Sequence, residues 1–160
     1  MTDAASNLFG PGTEPGPRVP SDRDQRLTEL YKLCGRTVDD LPYTPEFEDL
    51  YQRSGGDGTW QDRRACFRRL QGLRKANRLP AMGLRGESGR PRISADEESL
   101  LADMVRQRVG TLGQRDQLLY APEFDALREA FNARTGRSLD AHDLWRLIAK
   151  IAKAGRDPSA

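Results

Sequence analysis

The side chains with the clearest chemistry are arginines. Residues 59–92 hold ten basic and only two acidic residues, in a chain whose net charge is only +2. Arginine supplies 22 of the 26 basic residues, and its planar fork matches phosphate and carboxylate geometry better than a lysine ammonium does. Arg64, Arg68, Gln71, Lys75 and Arg78 follow a three-to-four residue spacing. On a helix turning about 100° per residue they fall within about 80° of one another. Arg63, Arg69 and Arg74 flank that row. Like charges three and four apart repel by a few tenths of a kcal/mol each, so a row this dense predicts a polyanionic partner. Phosphates fit best, because releasing condensed counterions drives their binding, and arginine also reads guanine edges in a major groove.

The row needs a helix to carry it, and the chain supplies that helix twice. Residues 41–51, LPYTPEFEDLY, resemble residues 118–128, LLYAPEFDALR, at an offset of 77. One loop residue later the offset is 78, and a second row, His142, Arg146, Ala149, Lys150, Lys153 and Arg156, matches the first. A repeat of this length predicts two similar helical units. The expected organisation is an N-terminal tail over 1–20, a three-helix unit over 21–80, a linker or short wing over 81–93, and a second three-helix unit over 94–160. The fold class is therefore all-α, a tandem repeat of two three-helix bundles.

Local signals set the helix starts. Ser21 with Asp24, Thr44-Pro45, Thr59 with Asp62, and Ser94 with Glu97 are capping patterns, and Pro122 suits a first helical position. Gly35, SGGDG at 54–58, Gly110 and TGRS at 135–138 are stops. Leu27, Leu30, Tyr31 and Cys34 form one apolar stripe, and Cys66, Phe67, Leu70 and Leu73 form another. Phe47, Phe124, Trp60 and Trp145 are expected in the core, Tyr43 and Tyr120 as staples of a helix entry, and His142 on the surface. The order helix, polar turn, capped helix, basic exit in EFDALREAFNARTGRSLDAHDLWRLIAKIAKAGR is similar to helix-turn-helix and winged-helix cores.

Composition removes several alternatives. With 36% hydrophobic and 31% charged residues, the chain is too apolar to be disordered throughout. Two cysteines without a CxxC or a Cys/His cluster predict free thiols. No run reaches membrane-spanning length, and no phosphate-cradling glycine motif or metal-ligand spacing appears, so neither an enzyme nor a cofactor is expected.

The expectation is thus a small cytoplasmic protein of bacterial type that binds double-stranded DNA, with transcription regulation as the consequence by analogy. The contact residues are Arg63, Arg64, Arg68, Arg69, Gln71, Lys75 and Arg78, with Arg85, Arg90 and Arg92 gripping backbone and Arg146, Lys150 and Lys153 as an auxiliary set. RNA is a lesser variant and a homo-oligomer is compatible. The alternative is an adaptor whose basic face docks an acidic protein, motivated by the near-neutral total charge and by the acids opening the second helices.

Overall fold

A computed structural model describes residues 21–81 and 91–154. Among these residues there are helices and no strands. In chain order the α-helices are α1 (Asp22–Cys34), α2 (Pro45–Arg53), α3 (Trp60–Lys75), α4 (Ala95–Val109), α5 (Pro122–Thr135) and α6 (Ala141–Ala154). Two 3-10 segments, Val38–Asp40 and Leu112–Leu118, precede α2 and α5. No helix among the described residues is long and apolar enough to cross a membrane. The linker or wing expected over 81–93 lies largely outside the described residues, as do Arg85, Arg90 and the N-terminal tail.

The caps form where the sequence places them. Ser21, Thr44 and Thr59 accept from the amides of Asp24, Phe47 and Asp62, satisfying N–H groups that have no intrahelical partner. Ser94 and Glu97 make a complete capping box. Ala121 stands where Thr44 would repeat, and α5 has no side-chain cap.

The acid at the third position of each first helix does a second job. Asp24 takes two hydrogen bonds from Arg69 of α3. Glu97 takes two from Arg137, in the turn before α6. The bonds from Arg69 hold the Asp24 carboxyl below its usual range, and those from Arg137 lower Glu97 to about 2.

One continuous apolar cluster draws on both halves, from Leu27, Phe47, Phe67 and Leu70 to Leu101, Phe124, Phe131 and Ile148. Tyr43 and Tyr120 are partly buried and pack against it where the halves meet. Both have positive φ, 64° and 60°, which a side-chain-bearing residue adopts only at some cost. The Tyr43 N–H donates to the Tyr120 hydroxyl at 2.7 Å, and the Tyr120 N–H donates to the Tyr43 hydroxyl at 2.6 Å. Their ring centroids are 4.4 Å apart. Tyr43 also stacks on Phe124 at 4.7 Å and Tyr120 on Phe47 at 5.2 Å. The left-handed backbone thus presents each amide to the other half, and the tyrosines join the halves rather than stapling only their own helices. Burial raises the pKa of both hydroxyls.

The loop from α2 to α3 is fixed by Tyr51. Its hydroxyl donates to Asp62 Oδ2 at 2.8 Å and accepts the Gly58 N–H at 2.9 Å. A Cβ on Gly56 would stand 2.2 Å from the Tyr51 ring, so only glycine passes there.

Candidate nucleic-acid interface

Helix α3 lays Cys66, Phe67, Leu70 and Leu73 into the core. Its basic residues separate by the angle at which they leave the helix. At about 100° per residue, Arg63 and Arg74 project within the arc bounded by Leu70 and Phe67, and Arg69 emerges beside Leu73. All three meet neighbouring elements, and each finds a carboxylate. Arg63 binds Glu48 of α2 with Nε at 2.9 Å and Nη2 at 3.2 Å, and its guanidinium lies 5.0 Å from the Tyr51 ring centre. Arg69 binds Asp24, and Arg74 binds Asp39 at 2.9 Å.

The outer row behaves differently. Arg64 is half-buried over the Trp60 ring at 4.7 Å and donates to the backbone carbonyl of Gln117, in the second 3-10 segment, at 2.6 Å. Gln71 is half-buried, and Arg68, Lys75 and Arg78 are exposed. Arg68 and Lys75 lie almost opposite the apolar arc. They have no ion pair or hydrogen bond among the described residues. Arg92 is exposed just ahead of α4.

In α6 the matching row is engaged within the molecule, with His142 and Arg146 turned inward and Lys150 and Lys153 exposed but ion-paired. Arg146 Nε lies 3.3 Å from Asp40 Oδ1, with its side chain only 10% exposed. His142, expected on the surface, is held between the halves. Its Nδ1 is 2.9 Å from the Pro42 carbonyl and its Nε2 is 3.5 Å from Asp40 Oδ1. Arg36 closes on the other oxygen of Asp40 at 2.7 Å. Lys150 binds Glu98 and Lys153 binds Asp39, both at 3.2–3.3 Å.

One carboxylate, Asp39, therefore receives Arg74 from α3 and Lys153 from α6. The C-terminal ends of the two third helices are bridged by that one aspartate, so they stand no farther apart than two extended side chains and a carboxylate allow. That is far closer than the roughly 34 Å between successive major-groove faces, so the rows do not form two spaced reading heads. Of the thirteen nominated residues, Arg63, Arg69, Arg146, Lys150 and Lys153 are in ion pairs within the molecule. Their carboxylate partners sit up to 114 positions away, where sequence spacing gives no sign of them.

Among the described residues no group of three or more His, Cys, Asp or Glu side chains is disposed to hold a metal ion. Burial raises the pKa of both the Cys34 and Cys66 thiols to about 11, and both cysteines are free. No family model matches the chain, and no curated protein or solved structure is significantly similar to it.

Proposed function

We propose that this chain is a small nucleic-acid-binding protein that grips duplex DNA on the outer face of α3, within a tandem arrangement of two three-helix units. The observation that carries the reading is the bare pair Arg68 and Lys75, in a protein that matches the neighbouring arginines to acids. Two unmatched cations two turns apart on one face of a helix concentrate positive charge and gain from phosphate. Arg64 extends the ridge at its start, Arg78 lies just past the end of α3, and Arg92 adds charge at the entry to α4. Arg63 and Arg69 serve the fold, and Arg146, Lys150 and Lys153 are outside this surface. A regulatory role in the cytoplasm follows from this reading only by analogy with other DNA-binding helical proteins.

The reading predicts a short footprint. About four phosphates neutralised would give a salt slope near −3 to −4. Fluorescence anisotropy on a labelled duplex at about 50 mM and about 200 mM salt measures it. The double variant Arg68→Glu/Lys75→Glu, both exposed positions, is expected to lose binding with its helix content intact. Equal affinity of variant and parent eliminates the α3 surface.

One observation favours an adaptor instead. Five nominated cations, beside and beyond the α3 ridge, already have carboxylate partners, so basic residues of this molecule do pair with acidic side chains. Absence of duplex retardation at low salt, together with saturable binding of a Glu-rich peptide lost in the same double variant, would select that reading.

A further inference from the structure

The region where the two halves' basic helices meet is concave. A cleft of about 750 Å³ opens between α6 on one side and the end of α3 with the first 3-10 segment on the other. That volume lies within the range of small-molecule sites. Arg146, Lys150 and Lys153, on one face of α6, line one wall, and Arg74 lines the other. Four cations thus face only two lining acids, Asp39 and Asp40.

Both acids are oversubscribed. Asp39 is shared by Arg74 and Lys153, and Asp40 by Arg36, Arg146 and His142. Burial alone would raise the pKa of Asp39, yet the hydrogen bonds and charges of Arg74 and Lys153 outweigh it and hold the carboxyl below its usual range. Counting Glu98, which pairs with Lys150, the four lining cations exceed the three acids by one, and the local field is net positive. Two neutral donors add to it. The Thr37 hydroxyl makes no cap bond, the Asn77 side chain makes no hydrogen bond among the described residues, and both residues line the cleft. Asn77 holds a positive φ of 56° at the rim.

We propose that this cleft binds a small anion carrying two or more negative charges on phosphate groups, of the pyrophosphate or nucleotide type. The ligand's oxygens take the place of Asp39 as acceptor for Arg74 and Lys153, receive Lys150, and accept from Thr37 and Asn77. Ionised phosphate on Arg and Lys makes charge-assisted bonds, roughly twice as strong as neutral ones. The site is separate from the outer face of α3, so either can fail without the other.

The test is isothermal titration of the full chain with inorganic pyrophosphate at low salt, then with a nucleoside diphosphate. One saturable site is expected. Lys150→Ala/Lys153→Ala, at two exposed positions, should weaken it on the order of tenfold or more. Arg68→Glu/Lys75→Glu should leave it unchanged while abolishing duplex binding. Asp39→Asn, which removes the internal competitor, should tighten it several-fold. Asp49→Asn, the same charge change on the solvent side of α2, should not. Tighter binding of the diphosphate than of pyrophosphate would show that the cleft also holds the nucleoside, and equal binding that it holds phosphate alone. Non-saturating uptake, or equal loss in both double variants, would overturn the proposal.

Discussion

The two third helices start from similar basic rows and use them in opposite ways. At the offset of 78, Arg68 of α3 matches Arg146 of α6, and Arg64 matches His142. Arg64 and His142 each reach across to a backbone carbonyl of the other half, Gln117 and Pro42. The difference lies in what flanks those carbonyls. In the first half the residue before the turn is Asp40, and it captures Arg146. Its counterpart at the offset of 77 is Gln117, which carries no charge, and Arg68 faces solvent. The matching positions thus hold an acid that pairs with Arg146 in one half and an amide residue whose backbone carbonyl takes Arg64 in the other.

The comparison can be broken most forcefully at Asp40. Asp40→Ala removes the carboxylate shared by Arg36, His142 and the nearly buried Arg146, and should cost about 3 kcal/mol in denaturant unfolding. Gln117→Ala, where only the backbone carbonyl is used, should stay within about 0.5 kcal/mol. Similar losses at both sites would remove the distinction. The tyrosine exchange comes next. Tyr43→Phe and Tyr120→Phe each leave one inter-half amide without its acceptor, so each should cost about 1–3 kcal/mol, and by nearly equal amounts. A large inequality would show that one side carries the junction.

A smaller effect is expected at the caps. Thr44→Ala should cost about 1 kcal/mol, and Ala121→Thr should return a similar amount or less to α5. Melting temperatures of the two variants, shifted in opposite directions, would check this. The acid response should be shared by both halves. Asp24 and Glu97 are more acidic folded than unfolded, so each stabilises the fold above its ordinary pKa and loses that contribution as pH falls through the folded value. For Glu97 the loss runs from about pH 4.5 down to about pH 2. Urea midpoints across that window should fall for the parent and fall less for Glu97→Gln.

Helix starts were legible in the sequence because capping is local. Ser21, Thr44-Pro45, Thr59 and the Ser94–Glu97 box each act within three residues. The inward faces were legible for the same reason, since Leu27, Phe47, Leu70 and Leu144 follow helical periodicity. The short 3-10 segments, too brief for a periodic signal, were not. Nor were the fates of the arginines, because Glu48, Asp24 and Asp39 are brought to Arg63, Arg69 and Arg74 by packing across 15 to 45 positions. A partial signal existed. The projection angles of Arg63 and Arg74 already placed them over the apolar arc, where an unpaired charge would be costly. His142 gave no such warning, since its role depends on a carbonyl 100 positions upstream.

The exchange between Tyr43 and Tyr120 bears on how the molecule comes apart. Opening either half would leave an amide donor of the other without its acceptor and bare a stacked ring on each side. Heating should therefore melt the whole chain in one cooperative step, with calorimetric and van't Hoff enthalpies in agreement, rather than shed one half ahead of the other.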